Sequence, residues 1–377
     1  MVVPATHQIT PDVKANLVME KQAIAAWLKL VGVELRSSRK YALLNEYGSP
    51  QAVLDAPSED LAQMGFSPSE INRLHNAPEF PASAINIIES GQLSMVTILD
   101  DDYPANLKPL DGAPIALFIR GQLSETDRFS IGIVGTRKAS SVGLMIAEQL
   151  AKDLAKSGLC IVSGGAFGID TSAHQGALAA GGRTIAVLAS GAEMDSPPSN
   201  RALFQKIAAN GAVVSEFPPG TTPLPGRFPV RNWTLSGLSL GVIMVEVPER
   251  SGALITAGCA AEQGRDVFVV PGRMGETNYD GSHSLIKDGA TLISSANDIL
   301  AALGIPKDDR PKTNKPNTNL TPQQKRILEA LSLEPTHPDT IARQLNLPTQ
   351  ALATELTILE ITNQARRLPG GLYIRAL

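Results

Sequence analysis

The 377-residue chain contains only two cysteines, Cys160 and Cys259, and aromatic residues make up 4% of it. Two cysteines without a Cys-x-x-Cys pair build neither a disulfide framework nor a thiolate metal cage, which fits a reducing compartment. No apolar run approaches the roughly 20 residues that span a bilayer. The opening residues, MVVPATHQITPD, lack the basic start and apolar core of a secretory leader. A soluble cytoplasmic protein, away from membranes, is the expectation. An excess of one charge is also missing: 33 Lys and Arg stand against 37 Asp and Glu, for a formal net charge of −4. The chain as a whole is therefore no polyanion binder, and any nucleic-acid site must be local. Low-complexity tracts and internal repeats are absent. What remains is a chain with 43% apolar residues, able to bury a sizeable core and long enough for two or three domains.

Two nucleotide fingerprints are missing as well. A Walker A loop needs Gly-Lys-Ser/Thr, which occurs nowhere. A dinucleotide site needs G-x-G-x-x-G and an acid about 20 residues on. The stretch CIVSGGAFGIDTSAHQGAL (160–178) offers Gly164-Gly165-x-x-Gly168 instead, and the next strand, TIAVLAS, ends without Asp or Glu. No cofactor and no metal are expected. The stretch is nevertheless built for an anion: an apolar strand, a small-residue turn, then a helix whose free N–H groups point outward.

Four segments emerge along the chain. Residues 1–85 read as a helical module of short amphipathic pieces (23–32, 40–48, 50–56, 58–65 and 67–76) with Ser/Pro starts and Gly stops. These pieces suit helix-hairpin-helix grips on phosphate and, equally, plain packing. Residues 90–303 alternate Val/Ile-rich runs (131–135, 159–165, 184–191, 212–217, 241–247, 265–272 and 290–295) with helical stretches such as 141–158 and 252–264. That alternation predicts a doubly wound, mostly parallel α/β sheet, with ligands at the strand C-termini. Residues 304–319, polar and proline-rich, read as a linker. Residues 320–377 give three helices and a hairpin tipped by Gly370-Gly371, the layout of a winged helix. Its third helix, from Gln350 to Glu360, has two Glu and no Lys or Arg, which favours protein docking over base reading.

Two constellations compete for function. Asp170 and His174 share a helix face near Ser163, Thr171 and Ser172, the material of a Ser–His–Asp site. The simpler reading makes Asp170 a helix cap and His174 a hydrogen-bonded support of the turn. Arg137 and Lys138, just beyond a strand end, and Arg227 and Arg231 around Phe228, with Asn232 and Trp233 following, interleave cations with rings. That pattern suits single-stranded nucleic acid, where guanidiniums meet phosphate and rings stack on bases. The plain alternative is core packing of the rings with Arg231 paired to Glu246 or Glu249.

The ordered series YP (103–104), VGTRKAS (134–140), SGGAFGIDTSAH (163–174), FPVRNW (228–233), SGALITA (251–257), VPG (270–272) and GSHSLI…GA (281–290) resembles the DNA-processing protein A (DprA/Smf) family. The resemblance implies an extended Rossmann-like domain, with a sterile-alpha-motif-like N-terminal domain and a C-terminal winged helix. It implies a homodimeric, non-enzymatic single-stranded DNA binder that loads the RecA recombinase in natural transformation. Carried over position by position, DNA-binding residues would be Gly135, Thr136, Arg137, Ser163, Gly164, Gly165, Gly168, Ile169, Asp170, Phe228, Arg231 and Asn232, with Ser251, Gly252 and Thr256. Four positions depart from the family pattern: Ser196 in place of a tyrosine, Pro198 in place of a basic residue, Trp233 in place of an arginine, and His283 in place of an asparagine. Either the lost ring and cations weaken affinity and salt dependence, or Trp233 supplies the missing stack. The rival class is a nucleotide-hydrolysing enzyme of the phosphoribohydrolase type, using Asp170, His174 and Glu246. Its Pro-Gly-Gly-x-Gly-Thr signature is absent, because Pro271-Gly272 runs on into Arg273-Met274-Gly275.

Overall fold

The computed structural model describes residues 21–304, 320–332, 335–362 and 364–375. The first 20 residues of the expected helical module and nearly all of the expected linker, 305–319, lie outside the described residues. Short helices open the chain: α1 (Lys21–Gly32), α2 (Ser37–Tyr47), α3 (Pro50–Leu54), α4 (Ser58–Gln63), α5 (Pro68–His75) and α6 (Ala82–Glu89). Their boundaries follow local chemistry. Ser67 caps α5 in a capping box with Glu70, and Gly48, at φ 76°, closes α2 in the left-handed conformation. Their apolar faces (Ile24, Leu28, Leu43, Val53, Leu61, Leu74) join one hydrophobic cluster with residues of the sheet that follows.

That sheet has nine strands: β1 (Ser94–Thr97), β2 (Ala116–Gly121), β3 (Ser130–Gly135), β4 (Cys160–Ser163), β5 (Thr184–Val187), β6 (Ala212–Ser215), β7 (Gly241–Val245), β8 (Asp266–Val269) and β9 (Thr291–Leu292). Their spatial order is β1-β2-β6-β5-β4-β3-β7-β8-β9. The strands from β6 through β9 pair in parallel, while β1 and β2 add an antiparallel edge. Strand side chains alternate between two apolar layers. Ile131, Ile133, Ile161, Ile243 and Val245 face α7 (Ser141–Lys156), α8 (Ile169–Ala179) and α13 (Ala296–Ala302). Val134, Val162, Val242 and Met244 face α10 (Arg227–Leu238) and α11 (Gly252–Glu262), together with the N-terminal helices. Two buried faces explain why these strands are apolar at every position instead of every second one. The remaining helices of this part are α9 (Arg201–Asn210), against β5 and β6, and α12 (Asp280–Lys287).

This is a Rossmann-like sheet, and its order reverses at β3: β4, β5 and β6 lie on one side, β7, β8 and β9 on the other. The reversal opens a crevice at the C-terminal ends of β3, β4 and β7. Helices α14 (Pro322–Ala330), α15 (Pro338–Leu345) and α16 (Thr349–Ile361), with the hairpin β10 (Ala365–Arg367) and β11 (Tyr373–Arg375), form the C-terminal winged helix around a core of Ile327, Ile341, Leu352 and Leu356. Ile358 and Ile361 of α16 are exposed. No helix among the described residues is long and apolar enough to cross a membrane.

Candidate nucleic-acid interface

The loop after β4 and the first turns of α10 meet over the crevice. Pro229 sits in the first turn of α10, where a missing N–H leaves no intrahelical bond unmade. From that turn, Phe228, Arg231 and Asn232 fall on one helix face by their three- and four-residue spacing. Arg231 is 5% exposed and spends its guanidinium on backbone. Nη1 donates to Gly164 O at 2.5 Å and Val187 O at 2.6 Å, and Nε donates to Asn232 Oδ1 at 3.0 Å. It therefore bonds to neither Glu246 nor Glu249. It ties the ends of β4 and β5 to α10.

Glycine 164 makes that tie possible: a Cβ there would run into the guanidinium and stand 2.7 Å from Asp170 Oδ2. At Gly168, with φ +77°, a Cβ would collide with the carbonyl of Thr136. The glycine loop and the β3–α7 loop thus touch backbone to backbone, and Ile169 N donates to Thr136 O at 3.3 Å. Asp170 sits inside the first turn of α8 and accepts from Ala166 N at 3.3 Å, so it braces the loop ahead of the helix. The cap position is Gly168 and no side chain caps α8, contrary to the capping role read from the sequence. Burial raises its pKa, opposed chiefly by the positive charge of Arg231. The same burial lowers the pKa of Arg231, which Asp170 counteracts.

Arg137 is exposed, as is Lys138. The Arg137 guanidinium carbon lies 5.1 Å from the Phe228 ring centroid, and that of Arg231 lies 5.7 Å from it. The ring is thus shared by two cations. Together Arg137, Gly164, Ala166, Phe167, Leu188, Ser196, Pro197, Phe228 and Arg231 line a shallow pocket of about 110 Å³. Thr171 Oγ1 donates to Ala166 O at 2.7 Å, and Asn200 Nδ2 donates to Gly165 O at 3.1 Å, stapling the loop from behind.

The other nominated residues hold the frame. Ser163 is wholly buried and donates to Ile133 O at 2.6 Å. Gly135, Thr136 and Ile169 form the junction of the two loops. Ser251 caps α11, Thr256 is buried within it, and Asn232 Nδ2 donates to Gly252 O at 3.3 Å. This second stitch lies outside the pocket lining. Phe167, 50% exposed, was missed by sequence reasoning. The signal was a large aromatic in a turn otherwise made of small residues. Trp233 does not supply a stack in the pocket. It packs partly buried on the main apolar cluster, 3.6 Å from where a Cβ of Gly112 would stand.

No hydrolytic constellation forms. His174 is buried, and its Nδ1 lies 2.7 Å from Thr184 Oγ1 at the start of β5, away from the glycine turn that the sequence assigned it to support. The Thr184 hydroxyl donates to Ile161 O, so His174 Nδ1 carries the proton. Burial, with repulsion from Arg231, drives the His174 pKa down to about 3. With the Ser163 hydroxyl on Ile133 O and the His174 ring on Thr184, the groups of the expected Ser–His–Asp site do not converge on the pocket. Glu246 is likewise buried and hydrogen-bonded to Ser140 and Tyr279.

Comparison with known proteins agrees with this geometry. Residues 94–304 match the family described as DNA recombination-mediator protein A, and residues 311–371 match the DprA winged helix domain. Protein Smf of Escherichia coli K12 is 33% identical over 358 residues, covering 93% of this chain and 95% of that protein. DNA processing protein DprA of Streptococcus pneumoniae is 43% identical over 205 residues, covering 54% of this chain and 72% of that one. The X-ray structure of DprA from Streptococcus pneumoniae superimposes with a TM-score of 0.63 at 35% identity, over 72% of this chain and 95% of that one. DNA processing protein A of Helicobacter pylori, whose structure describes a single-stranded DNA binding mode, gives a TM-score of 0.51 at 29% identity, over 58% and 98%. With residues 94–304 and the C-terminal domain both matched, and a relative 33% identical over 93% of this chain, the chain belongs to the DNA recombination-mediator protein A family.

Proposed function

We propose that the chain binds single-stranded DNA at the crevice without catalysing a reaction on it, and hands the strand to the RecA recombinase during natural transformation. The observation that carries this reading is the ring of Phe228 within 5.1 Å of the Arg137 guanidinium and 5.7 Å of that of Arg231, beside the glycine loop. Exposed Arg137 offers a phosphate its free donors. Phe228 and Phe167 offer faces to bases that a duplex keeps stacked away. The single-stranded DNA binding mode of the Helicobacter pylori relative supports the same ligand. Gly135, Thr136, Ser163, Gly165, Gly168, Ile169, Asp170, Asn232, Ser251, Gly252 and Thr256 serve the site by shaping it, and the protein works as a cytoplasmic homodimer.

Fluorescence anisotropy of labelled single-stranded and duplex oligonucleotides at two salt concentrations tests the reading. The single strand should bind tighter. Arg137→Ala should weaken it about tenfold and flatten the log–log salt slope by about 0.7, the value of one lost phosphate contact on a single strand. An Arg137→Ala protein with unchanged affinity and slope rules the contact out. The winged helix has its own apolar core, so removing residues 304–377 should leave strand affinity intact and abolish RecA capture. Retained capture moves the RecA contact to the sheet domain.

A further inference from the structure

Glu246 directly follows β7 and is wholly buried at the crevice where the strand order reverses. Its backbone has φ 46°, in the left-handed region that a side chain other than glycine's enters only when its surroundings hold it there. Four groups converge on its carboxylate. Ser140 N donates to Oε2 at 2.8 Å and Ser140 Oγ donates to Oε1. Tyr279 OH donates to Oε1 at 3.1 Å and Asn278 Nδ2 to Oε2 at 3.4 Å. Gly143, on the first turn of α7, has no Cβ because one would collide with this carboxyl group. The positive N-terminus of α7, where a Rossmann-like fold presents its donors to a ligand phosphate, is therefore filled by the protein's own carboxyl group.

The loop between β3 and α7 is pinned at both ends by that residue. Thr136 N donates to the Glu246 carbonyl at 3.1 Å, and Ser140 N donates to its carboxylate. Within the loop, Lys138 N donates to Thr136 Oγ1 at 3.2 Å. Arg137 and Lys138 are the two residues held out from this clasp into solvent. We infer that Glu246 is the positioning residue of the DNA grip: a resident hydrogen-bond acceptor that fills the α7 N-terminus and fixes the loop so that Arg137 meets the strand beside Phe228. The inference rests on the single-strand reading above and extends it to a residue that touches no DNA.

The test is a double-mutant cycle on the full chain, read as single-strand affinity and salt slope. Glu246→Ala should weaken binding about tenfold with intact Arg137, lowering the slope by about 0.7, and by less than about twofold in the Arg137→Ala background. Glu246→Gln should restore most of the affinity, because its amide oxygen still accepts from Ser140 N while the Ser140 and Tyr279 hydroxyls turn to accept from its NH₂. An equal loss in both backgrounds overturns the inference, as does a Glu246→Gln protein as weak as Glu246→Ala. If Glu246→Ala does not fold, Ser140→Ala removes the hydroxyl contact, together with the cap bond that Ser140 Oγ accepts from Gly143 N, and should give about a threefold loss that again requires Arg137. If Arg137→Ala binds like wild type, the phosphate-grip reading itself fails and this inference falls with it, a result distinct from equal losses in the two backgrounds.

Discussion

Replacing Arg231 by methionine should cost about 3–5 kcal/mol of folding stability and eliminate single-strand binding in the same protein. The size follows from what the guanidinium holds. It is the donor to the carbonyls of Gly164 and Val187, and the main positive charge offsetting the buried carboxylate of Asp170. Methionine fills most of the volume but leaves two strand-end carbonyls and an ion in a dry site. The double variant Arg231→Met/Asp170→Asn separates the two consequences. It should recover a large part of the stability, because no uncompensated charge remains, while binding stays lost because nothing draws the glycine loop to α10. Urea denaturation and oligonucleotide anisotropy on both proteins measure this. Equal stability of the single and double variants would show that Asp170 is not the source of the loss.

Arg231 also shows how far the sequence could be read. Its type, its neighbours Phe228 and Asn232, and its link to a glycine-rich strand end were all visible as a pattern. Its burial was not, because an arginine reads as a surface residue until a backbone approaches closely enough to take its donors. The parallel strands were legible because double coverage makes them largely apolar: the run at 131–135 covers β3 but for Ser130, and those at 184–191 and 241–247 contain β5 and β7. The antiparallel edge, β1 and β2, escaped notice, as did α6. Ser94–Thr97 is too short to show alternation, and β2 is buried along most of its length, like an interior strand. His174 illustrates the opposite limit. Four residues from Asp170 it shares a helix face, yet its ring bonds to Thr184, a residue that only the folded sheet brings near. Phe167 was similarly hidden, because an exposed ring in a turn has no period, and the role of Glu246 was hidden because the four groups on its carboxylate come from two distant segments, Ser140 and Asn278–Tyr279.

The helix that carries Arg231 is also joined to the N-terminal helices, through an acid whose charge depends on pH. Glu216, just past β6, accepts from Thr234 Oγ1 at 2.5 Å, one turn along α10 from Arg231. The other groups facing it are Lys40 of α2 and the Tyr103 phenol. Burial raises the Glu216 pKa from 4.5 to about 7, against the Thr234 hydrogen bond and the charge of Lys40. Below pH 4.5 the folded and unfolded chains both hold this proton. Between there and about pH 7 the unfolded chain releases it while the folded protein retains it, so stability falls as pH rises across the window. Lys40 acts elsewhere. Burial lowers its pKa from 10.5 to about 8, so its unfavourable contribution is relieved only as pH climbs from 8 to 10.5. The first window closes near pH 7 and the second opens near pH 8, so the pair destabilises the fold most between them. Glu216→Gln keeps an acceptor for Thr234 and removes the titration. Its stability relative to wild type should therefore improve by about 2–3 kcal/mol between about pH 5 and about pH 7.5. Urea unfolding of both proteins at those two pH values decides the matter: a difference that does not change with pH would mean that Glu216 ionises in the fold as it does in the open chain.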